Sequence, residues 1–245
     1  MSITTSIADI KPGTEQSGDM FDMASNKSWL AHLELKFSGR DDKTVISHRK
    51  PHGPLVIQKP FYPENDVCHV YLLHPPGGVV GGDRLELRLD LKNDAKALFT
   101  TPGAGKFYLS AGDIAQVRQQ FKVGRGASLE FLPQENIYFA GAKVDISTSL
   151  EAEADGCILF WEKHCFGRPA NAEQFVSGRL VSQIDLRVAG RLLFTEKQRV
   201  DVGELERSSG LRNHPVSGCF LVYATGLEPA AIQELQALQP QQGIG

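Results

Sequence analysis

The feature that most constrains this chain is a repeated spacing. An amphipathic strand pattern, a short turn and an apolar strand pattern recur four times. The units read RLELRLDL–KNDAK–ALFTTP, QVRQQFKV–GRGA–SLEFLPQ, VDISTSLEA–EADG–CILFWEK and LVSQIDLRV–AG–RLLFTEK. Their aligned aromatics are Phe99, Phe131, Phe160 and Phe194, at intervals of 32, 29 and 34 residues (131−99, 160−131, 194−160). Self-similarity at this period predicts stacked supersecondary units, a β-helix-like stack. A run of ordinary hairpins in a sandwich is the plainer alternative.

Within the first unit, Leu85, Leu87, Leu89 and Leu91 share one face while Glu86, Arg88 and Asp90 share the other. That is the period of a half-buried strand. Residues 69–73 read as a buried strand. Helical spacing is clearest over 228–238, where Pro229 opens the segment and Ile232, Leu235 and Leu238 fall three apart. The chain is therefore mostly β with one or two short helices. Residues 1–27 read as a flexible polar leader, and 28–245 as a single β domain.

If the units stack, equivalent positions align. Two beyond the aromatics stand Thr101, Pro133, Glu162 and Glu196. A carboxylate after an apolar run marks either the point where a strand surfaces or a partly buried polar group, which must then be paired.

Bulk properties exclude several classes. Net charge is −3 over 245 residues, without a basic block, which argues against nucleic acid as a partner. No apolar run approaches the length of a membrane span. Cys68, Cys157, Cys165 and Cys219 lie far apart, with no C-x-x-C, and read as reduced thiols of a cytoplasmic protein.

The glycine-rich stretch HPPGGVVGGD (74–83) does not fit a phosphate loop. It is not G-x-G-x-x-G, and it leads into an alternating strand where a dinucleotide loop would open a helix. TTPGAGKFY (100–108) has Gly105-Lys106 followed by Phe107, so it is no Walker A loop either. These glycines are expected to supply tight turns and close backbone approach. No G-x-S-x-G or H-E-x-x-H occurs. In EKHC, Glu162 and His164 fall on one strand face and Cys165 on the other, so the run alone cannot close a metal site.

PLVIQKPFYPE (54–64), CHVYLLHPPGGVVGGDRL (68–85), TTPGAGKFY, LPQENIYFAGA (132–142) and HCFGRP (164–169) resemble the UreD (UreH) family of urease accessory proteins, from about Trp29 to about Thr225. The resemblance implies a mostly-β, two-layered β-helical stack. It implies a non-enzymatic cytoplasmic scaffold with no tightly bound cofactor. The partners it implies are the urease structural subunits and UreF, with the GTPase UreG recruited through UreF and nickel supplied by UreE. It also implies a wet internal tunnel carrying transient Ni²⁺, with Asp83, Glu162 and Glu196 along it. His74, Gly81, Gly82, Gly105, Lys106, Tyr108 and Arg168 are the motif positions expected to line the tunnel or meet partners. Gly105 stands where relatives usually carry a hydroxyl, and the C-terminus is expected to be short by a final strand region. The other functional reading is an interaction chaperone that remodels apo-urease while nickel passes outside it.

Overall fold

The computed structural model describes residues 28–208 and 210–237. In chain order the strands are β1 (Leu30–Arg40), β2 (Lys43–His52), β3 (Val56–Ile57), β4 (Cys68–Leu73), β5 (Arg84–Leu91), β6 (Lys96–Thr100), β7 (Gly105–Phe107) and β8 (Ala115–Val123). They continue as β9 (Ser128–Phe131), β10 (Asn136–Tyr138), β11 (Ala142–Ala152), β12 (Cys157–Arg168), β13 (Glu173–Gln174), β14 (Gly178–Val188), β15 (Arg191–Asp201) and β16 (Val216–Tyr223). Two short α-helices, α1 (Val202–Glu206) and α2 (Pro229–Ala237), flank β16. The predicted leader and the predicted missing terminal strand lie outside the described residues.

Two sheets face each other. One has the order β15-β14-β11-β8-β5-β1-β2; the other has β3-β4-β6-β9-β12-β10-β7, with β13 and β16 added to β12. Strands β1, β5, β8, β11 and β14 run parallel in the first sheet. Strands β4, β6, β9 and β12 run parallel in the second. The chain crosses between sheets through arches of four residues each, 92–95, 124–127 and 153–156. The arches stack by hydrogen bonds of their own: Asp94 N–H donates to Arg125 O and Cys157 N–H to Ala127 O, both at 2.9 Å. This is the two-layered β-helical stack expected from the sequence.

Alternation places one face of the central strands inside, as on β1, β11, β12 and β14. Phe99, Phe131 and Phe160 stand in register on β6, β9 and β12 and are buried. Their ring centroids are 6.4 and 5.8 Å apart along the stack. Each aromatic ring removes a large apolar area from water, and the aligned ladder seals the middle of the core.

The fourth unit departs from the predicted alignment. Ala189 and Gly190 both have positive φ, 46° and 78°. A two-residue loop of that hand makes a tight hairpin, so β15 turns back antiparallel in the same sheet. Phe194 therefore opposes Leu186 on β14. The place beyond Phe160 in the second sheet is filled by Leu221 of β16, running antiparallel to β12.

A second ladder lies beside the first. Phe107, Tyr138 and Phe166 are in register on β7, β10 and β12, with centroids 5.1 and 5.5 Å apart. It anchors a separate apolar cluster with Val144, Phe175 and Leu180.

Candidate functional site: a buried carboxylate between two cavities

The site forms where the second sheet is interrupted. Between β6 and β7 the chain leaves the ladder over 101–104, and between β9 and β10 over 132–135. Pro102 and Pro133 lie in these breaks and have no N–H to offer a neighbour. Strand β12 spans the gap: it pairs with β9 through Phe160 and with β10 only from His164. Glu162 sits in between, 5% exposed, with its side chain on the inward face. The position two beyond each phenylalanine does align here, because Thr101, Pro133 and Glu162 line one space.

That space is a cavity of about 170 Å³. Its polar lining includes His74, Lys106, Asn136 and Glu162, and the Gly105 backbone forms part of the wall. His74 Nε2 is buried there and, among the described residues, has no hydrogen-bond partner. Burial pushes the His74 imidazole below its usual value, partly offset by the Asp83 charge. A neutral imidazole carries one lone-pair nitrogen, which can accept from water or bind a cation. Gly105 is tightly placed: a Cβ there would come within 2.5 Å of Asn136 Oδ1.

Glu162 also lines a second cavity of about 20 Å³, with His164, Ser182, Glu196, Gln198 and Cys219. This volume suits a single water. Glu196, a surface-exposed residue of β15 in the opposite sheet, borders it, so the two predicted carboxylates meet through the hairpin rather than through the repeat, one buried and one exposed. Burial and then the charges of Glu196 and Glu162 push the Cys219 thiol up to about 12. Its thiolate form is thereby disfavoured.

Among the described residues, one hydrogen bond and one ion-pair contact reach Oε2 of Glu162. Ser182 Oγ donates to Oε2 at 2.7 Å, and His164 Nε2 lies 3.2 Å from the same oxygen. On its other side His164 Nδ1 is 2.8 Å from the Tyr138 hydroxyl. Among the described residues, Oε1 of Glu162 has no hydrogen-bond partner. No group of three or more His, Cys, Asp or Glu among the described residues is arranged to hold a metal ion. The donors present are a carboxylate oxygen, an imidazole nitrogen and a second carboxylate, spread over the two cavities. Such a set suits brief contact with a borderline divalent ion and not a closed cage.

The remaining predicted residues fall elsewhere. Asp83 is 3% exposed and lines neither cavity. Its Oδ1 accepts from Trp29 N–H at 2.8 Å and its Oδ2 from Val80 N–H at 2.9 Å, which ties the glycine-rich turn to the start of β1. Gly81 and Gly82 belong to that turn; Gly82 has φ +91°, and a Cβ on Gly81 would come within 2.3 Å of Ser110 Oγ. Tyr108 stacks on Phe139 at 4.8 Å, and the Arg168 guanidinium lies 5.3 Å from the same ring while pairing with Glu173. These two belong to a surface cluster away from the cavities. Cys165 points away from Glu162 and His164, with Sγ 3.5 Å from Gly167 O.

Sequence reasoning did not single out Tyr138, Ser182 or Cys219 as site residues. A signal for Tyr138 existed: Phe107, Tyr138 and Phe166 are spaced 31 and 28 residues (138−107, 166−138), which shadows the 32 and 29 of the first ladder. Ser182 and Cys219 carry no comparable mark.

Comparison with known proteins agrees with the motif resemblance. The family model described as UreD urease accessory protein matches residues 30–244. Proteins named urease accessory protein UreD are similar along most of the chain. One from Alcanivorax borkumensis is 42% identical over 214 residues, covering 85% of this chain and 72% of the relative. One from Aliivibrio fischeri is 41% identical, covering 81% and 70%, and one from Pseudomonas putida is 40% identical, covering 88% and 76%. With the matched region containing both aromatic ladders and the carboxylate between them, the chain belongs to the UreD family of urease accessory proteins.

Proposed function

We propose that this chain serves urease maturation as a non-catalytic cytoplasmic scaffold, and that Ni²⁺ crosses it as cargo through the two cavities that meet at Glu162. The family membership supports the maturation role. The observation that carries the passage is a single buried carboxylate lining both cavities. A path for a moving ion must attract it at several points and hold it firmly at none. His74 Nε2, Glu162 Oε1 and Glu196 meet that requirement, with the Cys219 thiolate disfavoured. Asp83 acts on this reading through the turn it ties and through its charge near His74. The proposed partners are the urease structural subunits and UreF, with UreG joining through UreF.

A second reading has one observation in its favour. The inner cavity holds about 20 Å³, too little for an ion with its hydration shell, which fits a chaperone that remodels urease while nickel passes outside. Glu162→Gln and Glu196→Gln separate the two. Nickel per urease active site is measured after maturation with all accessory partners, beside a pull-down with UreF. Transit predicts reduced nickel with the complex intact. Full nickel loading by both variants would leave the chaperone reading.

A further inference from the structure

We infer that the end of the stack opposite the crossing arches is a docking face for a protein segment that carries apolar side chains flanked by carboxylates. The two ends differ in kind. The arches at 92–95, 124–127 and 153–156 read KNDA, GRGA and EADG and carry no large apolar residue. At the other end Trp29, Val80, Tyr108, Leu109, Ile114 and Val176 stand exposed, Leu109 at 69% and Val176 at 64%. Hydrogen bonds join the turns that carry them into one surface. Trp29 N–H donates to Asp83, whose other oxygen accepts from Val80 N–H. Tyr108 N–H donates to Val79 O at 2.9 Å, Ser110 N–H to Gly141 O at 3.1 Å and Gly141 N–H to Ser177 O at 2.7 Å. Ile114 shares a shallow hollow with Ser28 and Gly82.

The anchor of this face is fixed before a partner arrives. The Tyr108 ring stacks on Phe139 at 4.8 Å and covers Gly78, where a Cβ would collide with it. Leu109 covers Gly141 in the same way. An aromatic already held in place costs little further ordering on binding. At these exposures the six side chains present roughly 500 Å² of mostly apolar surface, near the upper end for the largest patch of a monomer. With its rim the face approaches the ~800 Å² that each partner buries in a specific complex. The rim decides the occupant. Arg84, Lys143 and Arg179 stand at the starts of β5, β11 and β14 at this end, and all three are exposed. Among the described residues none of them forms an ion pair. The acids beside them are engaged: Asp83 by two amides, Glu173 by Arg168, Asp201 by Arg199, and Asp113 is partnered too. A second copy docked here would set like charges around the same apolar centre, whereas carboxylates flanking an apolar segment complete it. The inference uses the partner reading of the preceding section and not the nickel passage.

The test uses the full chain, with UreF and urease apoprotein as separate probes in a binding assay. Leu109→Ser combined with Val176→Ser is expected to weaken one of them about ten-fold. Arg84→Glu combined with Arg179→Glu is expected to weaken the same probe and to flatten the fall in affinity that wild type shows from low to high salt. Arg125→Glu, at the arch end, should bind as wild type. A photo-crosslinking residue in place of Leu109 should join to an acid-flanked apolar segment of that probe, mapped by mass spectrometry. Wild-type affinity of Leu109→Ser with Val176→Ser for both probes overturns the docking face. An unchanged salt response of Arg84→Glu with Arg179→Glu overturns the acidic chemistry of the occupant. Crosslinking of position 109 to a second copy or to residues 1–27 of the chain also overturns the inference, as does binding to phosphatidylserine vesicles that Leu109→Ser with Val176→Ser abolishes. If wild type binds neither probe, the partner reading of the preceding section falls as well; binding that ignores the variants sinks this inference alone. Circular dichroism checks the fold of each variant, and should Leu109→Ser with Val176→Ser misfold, the crosslink carries the same decision.

Discussion

Two aromatic ladders run side by side through this molecule, and they differ by one buried oxygen. Phe99, Phe131 and Phe160 form a wholly apolar column that closes the core. Phe107, Tyr138 and Phe166 repeat the arrangement at nearly the same sequence interval and in the same parallel register. The hydroxyl of Tyr138 bonds the His164 ring, which lies beside Glu162, and Ser182 donates to the same carboxylate inside the protein. A buried charge without such support would cost several kcal/mol. The comparison teaches how a repeating scaffold acquires a site: the sheet parts between the two columns, and one ring is changed from phenylalanine to tyrosine.

The largest effect that distinguishes the columns is on stability. Phe131→Ala opens a void touching Phe99, Phe121 and Phe160 and should lower stability by about 3–5 kcal/mol in urea unfolding. A loss under 1 kcal/mol would show that the first column is not the seal described. Next comes the turn that braces the Phe107 end of the second column, where Val79 bridges to Phe107. Asp83→Ala leaves the Trp29 and Val80 amides without their acceptor and should cost on the order of 3 kcal/mol by the same measurement. Tyr138→Phe keeps the ring and removes only its oxygen, so its stability cost should be about 1–2 kcal/mol, well below that of Phe131→Ala. An equal cost would mean that the hydroxyl is chiefly a structural group.

Much of the first column was legible in the sequence and little of the second. Strict alternation and the 32- and 29-residue intervals report strands that stack in register, and they do. Phe194 broke the series for a reason visible in its linker. The crossing arches have four residues, whereas Ala189-Gly190 is a two-residue loop, which returns a strand to its own sheet. Two members of the second column, Phe107 and Tyr138, sit on strands of three residues, too short for alternation to show, although the spacing was present. Glu162 stood out as a carboxylate after an apolar run. His164, two residues on, was readable on the same strand face, but Ser182 and Cys219 come from strands 20 and 57 residues away (182−162, 219−162), and contacts of that kind leave no pattern in one sequence. Asp83 was readable as an acid beside glycines, but its two backbone amides were not.

A smaller effect reports on the inner cavity. The folded state holds the Cys219 thiol up to about 12, from an ordinary value near 9. The protonated form is thus favoured by folding, so its contribution is complete below about pH 9 and is lost as pH rises from 9 toward 12. Tyr62, Cys68, Cys157 and Cys165 are raised too and act with the same sign. The urea midpoint should fall between pH 8.5 and 10.5, on the order of a few tenths molar, and Cys219→Ala should flatten part of that fall. Glu196→Gln should speed alkylation of Cys219 at pH 8.5, read by mass spectrometry, because one of the charges opposing the thiolate is removed. An unaltered rate would place Glu196 too far from the thiol to matter.

The central claim is that the cargo passes between the two columns. Gly105 is a poor place to obstruct it, because a side chain there would displace Asn136, which lines the same cavity. Ala104 lines the same cavity from the loop between β6 and β7. Nickel per urease active site is therefore measured with Ala104→Trp, at wild-type binding of UreF and urease. Passage through the cavity predicts a loss of most of the nickel; full loading, with the indole seen filling the cavity, would contradict it.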